Sequence, residues 1–198
     1  MTRFAGDVLL MDNPITVGAF NVGPGDFAVL TNATLTRNAA GDISANQAAS
    51  LTGTYVYHLT GQLRQINALL STTSTPQVDA SGKNVGIGDA PVAKGVKITD
   101  LTLVHLVTGG ALTSISVRLD RTVFVDNVAN AVTPILAAGA NGLATAARAN
   151  PYVTKIAIAD SFDVTDNDIV TLELSVVTPA AVTFRYYGCT VHCSYNLN

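Results

Sequence analysis

The 198 residues hold 11 lysines and arginines against 14 aspartates and glutamates, for a net charge of −3; 48% are hydrophobic and 13% charged. The cations are scattered singly, so no basic stripe offers to neutralise phosphates, and nucleic-acid binding is disfavoured. A globular surface normally carries about a quarter to a third charged residues, so a surface this sparse is expected to be buried in part against copies of the same chain.

The chain opens MTRFAGDVLLMDNP, where the apolar run from Val8 to Met11 is broken by Asp12. That is short of the roughly 7 to 15 residues of an export-signal core, and no stretch approaches the roughly 20 apolar residues that cross a bilayer as a helix. The expectation is a chain made in a cytoplasm, with no signal peptide and no membrane insertion. ITVGAFNV and FAVLTNATLT then flank Gly23-Pro-Gly-Asp26, a turn signal that predicts a hairpin within residues 1–50. The stretch from Asn32 to Ser50 is weakly patterned.

In TGTYVYHLTG, alternation sets Tyr55, Tyr57 and Leu59 against Val56 and His58, which reads as a strand. Residues 71–95 are polar and bear Gly and Pro, and read as a long loop. GVKITDLTLVHLVT places Val96 and Ile98 on one face, then Leu101, Leu103 and His105 after a bend at Asp100. LTSISVRLDRTVFV sets Leu112, Ile115, Val117, Leu119, Val123 and Val125 against Ser114, Ser116, Arg118, Asp120 and Thr122, so one of its faces is wet. Residues 126–151 are Ala-rich, with Gly139 and Gly142 inside; they read as a surface excursion with at most a short helix from Pro134. VTKIAIADSFDV, IVTLELSVVT, AVTFRYYG and CTVHCSYNL follow, parted by turn residues, and read as a β-meander.

Many short strands and almost no helical periodicity indicate an all-β, antiparallel β-sandwich of the jelly-roll type. Residues 51–198 form the sandwich and residues 1–50 an N-terminal segment. Trp is absent, so the core falls to Val, Leu, Ile and Ala, with Phe and Tyr near strand ends.

The chemistry-bearing residues are few. In an extended strand Cys189, Val191 and Cys193 share a face and His192 takes the other. Four strand residues span about 13 Å, beyond the roughly 4.4 to 6.8 Å between the Cα atoms of a disulfide, so the cysteines are expected to be buried hydrophobes. C-x3-C beside one histidine lacks the spacing of a zinc site. Gly188 suggests a bulge or a close backbone approach. His58, His105 and His192 each lie in an alternating strand. No nucleophile elbow, phosphate loop or zinc-protease motif is present. Glu173 is the sole glutamate; a glycosidase pair with Asp120 or Asp100 is the one enzymatic arrangement on offer. Asp160, Asp163, Asp166 and Asp168 lack the glycine and the glutamate of an EF-hand calcium loop and read as turn caps. Neither catalytic, cofactor nor metal residues are assigned.

GVKITDLTLVHLVTGGALTSISVRLDRTVF, followed by NPYVTKIAIADSFDVTDNDIVTLELSVVTPAAVTFRYYGCTVHCSY, resembles jelly-roll virion proteins, namely the capsid spike and head-fibre proteins of bacterial viruses and related gene-transfer particles. The resemblance covers residues 52–198 and rests on the order of its strands. It implies a virion-located, non-enzymatic structural protein, a homo-oligomer of trimeric type. Its partners would be other capsid proteins and a host cell-surface glycan, with residues 1–50 docking to the particle. Two alternatives stand beside this reading. One is a carbohydrate-binding sandwich using Tyr152 or Tyr187 as sugar platforms; the other is a polysaccharide-cleaving enzyme built around Glu173. Ligand contacts are expected in the loops at 71–95 and 126–151.

Overall fold

The computed structural model describes residues 15–37, 42–61, 63, 93–124, 126–159 and 168–197. Among them lie β1 (Ile15–Val22), β2 (Val29–Leu30), β3 (Ala33–Arg37), β4 (Ile43–Gln47), β5 (Leu51–His58), β6 (Ala93–Thr108), β7 (Ser114–Val123), β8 (Ala131–Gly139), β9 (Tyr152–Ala157), β10 (Asp168–Thr178) and β11 (Thr183–Leu197). They form two antiparallel sheets. Sheet 1 runs β3-β4-β11-β6-β9, with β1 also on β11; sheet 2 runs β2-β5-β10-β7-β8. From β4 onward the chain changes sheet at every connection except the β7–β8 hairpin. The resulting layers, β4-β11-β6-β9 over β5-β10-β7-β8, are those of a jelly-roll sandwich.

Alternation decides which side chains fill the space between the layers. Tyr55 and Tyr57 of β5, Ile115, Val117 and Leu119 of β7, and Val170, Leu172, Leu174 and Val176 of β10 all point inward and are buried. Each such burial contributes about 1.5–3 kcal/mol relative to exposure. In β6 the inward set changes parity, from Ile98 to Leu101, Leu103, His105 and Val107. The cause is Thr99, an extra residue between the pairings Asp100–His192 and Ile98–Cys193. This is the bend expected at Asp100, one residue upstream. β11 undergoes the matching change at Tyr187, extra between Tyr186–His105 and Gly188–Val104. A β-bulge flips the phase of a strand in this way. Gly188 has a φ of +147°, and a Cβ there would lie 3.2 Å from the Val22 carbonyl, so bulge and close approach coincide.

Three expectations change. The Gly23–Asp26 turn forms, with Asp26 N donating to Gly23 O at 3.1 Å, yet no hairpin follows. β1 pairs with β11 while β2 pairs with β5, so the turn carries the chain between sheets, and residues 15–50 supply strands to both. The Ala-rich stretch holds the strand β8 instead of a helix. Val132 and Thr133 are β-branched, Ile135 is buried, and Pro134 sits where the β7–β8 register shifts, a position that tolerates its missing N–H. The last third is not a meander, because β9, β10 and β11 alternate between sheets.

Candidate functional site

Sheet 2 turns its wet face to solvent along its central strands. Registered rows cross it: His58, Thr171 and Asp120; Val56, Glu173 and Arg118; Thr54, Ser175 and Ser116; Thr52, Val177 and Ser114. Period-2 alternation places all of these opposite the buried set. Arg118 Nη2 donates to Glu173 Oε2 at 2.9 Å, and its Nε lies 3.2 Å from Asp120 Oδ2. The guanidinium thus fills the space between two carboxylates on adjacent strands and orients both. Around them lie Thr171, Ser175 and Ser116, half-buried, with Val56 beside Glu173. The arrangement offers planar donors and carboxylate acceptors together, already ordered.

The opposite face, on sheet 1, carries a second polar strip. Asp100 Oδ2 lies 3.3 Å from Lys155 Nζ and accepts from Thr99 Oγ1 at 3.2 Å. His192 Nε2 lies 3.7 Å from Asp100 Oδ1 and 3.4 Å from Thr102 Oγ1. Thr190 Oγ1 donates to Asn21 Oδ1 at 2.7 Å.

The residues singled out in the sequence fall in four places. Cys189 and Cys193 face the core as free, buried thiols, and burial pushes both up to about 12. His192 projects from the other side of the strand, so the trio does not converge. His105 is buried, with Nε2 2.9 Å from the Ala144 carbonyl oxygen, and burial holds it below its ordinary range. His58 is exposed at the end of β5. Glu173 joins Asp120 through Arg118, while Asp100 belongs to the other sheet. Asp160, Asp163 and Asp166 lie outside the described residues, as do 71–92 of the long loop.

Tyr152 is not an open sugar platform. Its ring stacks on His105, with centroids 5.1 Å apart, and the Arg148 guanidinium lies 3.9 Å from the ring centroid. Its hydroxyl donates to Ala146 O at 3.0 Å, so it clamps the loop between β8 and β9. Tyr187 is the half-buried bulge residue. Arg118 was visible in the sequence as an outward residue two positions before Asp120; only the register of β7 on β10 brings it to Glu173.

No protein-family model matches the chain, and no curated protein is similar to it at a significant level. Solved structures with a similar chain path include a family 6 carbohydrate-binding module from Clostridium cellulolyticum in complex with xylose. It is 10% identical, covering 87% of this chain and 95% of its own, with a TM-score of 0.41. A family 30 carbohydrate-binding module is 12% identical over 94% of this chain and 86% of its own, with a TM-score of 0.43. The CBM22-1 xylan-binding domain of Paenibacillus barcinonensis Xyn10C is 7% identical over 90% of this chain and 95% of its own, with a TM-score of 0.42. The expectation of a virion structural protein is corrected here. The structures of similar path include several carbohydrate-binding modules, beside the insecticidal crystal protein Cry2Aa, and it is the carbohydrate-binding alternative, not the virion role, that is taken up below. These likenesses are loose and bear on the chain path alone.

Proposed function

We propose that the chain is a non-enzymatic carbohydrate-binding β-sandwich whose ligand lies on the outer face of sheet 2. The observation that carries this reading is the Arg118 guanidinium held between Glu173 and Asp120 among half-buried serine and threonine side chains. A sugar presents vicinal hydroxyls that both donate and accept, and an ordered guanidinium–carboxylate array meets both needs without rearrangement. With no Trp in the chain and Tyr152 covered on its ring, recognition rests on hydrogen bonds. The same geometry counts against cleavage, because a glycosidase pair needs open space between its carboxyl groups for the scissile bond and the water or nucleophile. Here the arginine stands in that space.

The test is calorimetric titration of the chain with xylohexaose, β-1,4-galactotriose and a mixed-linked β-1,3-1,4-tetrasaccharide. Binding to at least one is expected, and Arg118→Ala should weaken it at least tenfold. Silence with all three would overturn the reading.

Self-association is a second proposal, favoured by β8. This terminal strand of sheet 2 exposes Ala131, Val132, Thr133, Pro134, Ala137 and Ala138 and carries no charge. Edge strands of free monomers usually carry charge that blocks pairing.

A further inference from the structure

We propose that the outer face of sheet 1 is a second binding surface for neutral, polyhydroxylated ligands, with Asp100 as its anchor and His192 as a movable cover. This rests on the glycan-binding reading above and extends it to a bivalent chain. The bulge at Thr99 is what creates the surface: it turns Asp100 outward, in line with Thr102, on a strand whose preceding inward residue is Ile98. Bulges re-aim single side chains in this way and recur at binding sites.

Asp100 is an unusual surface residue. It is 9% exposed, and its Oδ1 is buried with no hydrogen-bond partner. A buried acceptor left without a donor is destabilising, and a charged one more so. The group nearest to satisfying it, His192 Nε2, stands off at 3.7 Å, beyond hydrogen-bond reach. The imidazole therefore shields the oxygen while giving it little. Its side chain is 34% exposed, so it has room to swing outward. A ligand hydroxyl entering in its place would supply the missing donor.

The rest of the strip is suited to the same ligand. Lys155, 69% exposed, holds the other Asp100 oxygen. Thr102, Thr190 and Asn21 continue the row across β6, β11 and β1. Strands stand about 4.8 Å apart, so the row from β9 to β1 extends about 14 Å and can follow several sugar units. One carboxylate against one ammonium leaves the strip without a dominant charge, which selects hydroxyls over sulfates or phosphates.

Titration with xylohexaose, β-1,4-galactotriose and the mixed-linked tetrasaccharide, monitored by backbone-amide NMR, separates the two faces. The expected result is shift changes at residues 100, 102, 190 and 192 as well as at 116, 118, 173 and 175. Asp100→Asn should weaken the first set at least tenfold and leave the second unchanged, and Arg118→Ala should do the reverse. His192→Ala, which removes the cover, should bind at the first set as tightly as the native chain or more tightly. Shifts confined to the Arg118 face would overturn the second surface and leave the glycan reading standing. Weaker binding by His192→Ala would overturn the cover. No shift anywhere with any of the three glycans would overturn both readings.

Discussion

Arg118 reaches across from β7 to Glu173 on β10, Nη2 to Oε2 at 2.9 Å, although 55 residues separate them in the chain. The arginine side chain is 45% exposed and the glutamate 26%, so solvent screens the pair and its share of stability is small, below about 1 kcal/mol. Glu173→Gln and Arg118→Ala should therefore shift the urea midpoint little. Both should weaken glycan binding, arginine more than glutamate, because a guanidinium contributes several donors and the amide still accepts. A large loss of stability with unaltered binding would show the pair to be structural.

Gln47 makes a second prediction. Its side chain enters the core from sheet 1 and bonds four groups of sheet 2, Thr178 Oγ1 at 3.3 Å among them. Nε2 donates to Leu51 O at 2.9 Å and Val176 O at 3.1 Å, while Oε1 accepts from the Tyr55 hydroxyl at 2.9 Å. Gly53 lies against it, and a Cβ at that position would sit on Gln47 Oε1 and within 3.1 Å of the Thr31 carbonyl. Gly53→Ala should cost about 1–3 kcal/mol by overpacking. Most of that penalty should vanish in a Gln47→Ala background. Urea unfolding of the four proteins measures the coupling, and simple additivity would refute the clash.

The faces of these strands were legible in the sequence, and their partners were not. Period-2 alternation put Tyr55, Val117 and Leu119 inside and Arg118 and Asp120 outside, and the parity break near Asp100 announced a bend. Alternation is a property of one strand, however, and says nothing about its neighbour. In a jelly roll nearly every neighbour is distant in sequence, so Gly23–Asp26 read as a hairpin and the last three strands as a meander. β8 was missed for a related reason. Helix propensity ranks alanine first, but an exposed edge strand asks little of its side chains, and Ile135, with Leu136 partly buried beside it, supplied the burial. Glu173 and Asp120 were both noted as carboxylates, yet their union through Arg118 depends on a register that only the folded sheet supplies.

Thiol reactivity follows from β11. Cys189 and Cys193 face the core, and burial pushes both thiols up to about 12, so almost no thiolate exists at neutral pH and the nucleophile is lacking. An aromatic disulfide reagent at pH 8 should leave both unmodified over hours in buffer and modify both within minutes in denaturant. Rapid labelling of either in buffer would mean that β11 is misplaced.

Assembly is tested at β8. Val132 is 60% exposed near the start of the uncharged edge, so a lysine there places a charge on any interface while costing the monomer little. Light scattering should report a multiple of 20.5 kDa for the native chain and the single-chain mass for Val132→Lys. A native chain that is monomeric at high concentration would remove the proposal.

The last prediction concerns acid. His105 is buried between Tyr152 and Phe184, ring centroids 5.1 and 5.7 Å away. With Ala144 O accepting from Nε2–H, the neutral ring bears its lone pair on Nδ1, which is buried without a partner. Protonation would put a second N–H and a full charge into that dry site, and burial accordingly holds the folded-state value below the ordinary 6.5. As pH falls the unfolded chain takes up this proton first, so the native state loses stability below about pH 6.5 and none above it. The loop clamped by His105, Tyr152 and Arg148 should loosen with it. Melting temperature recorded from pH 8 to pH 5 should decline through the lower part of that range. His105→Gln, which keeps a donor for Ala144 O but cannot titrate, should flatten the decline. An equal slope in both proteins would assign the acid sensitivity to other groups.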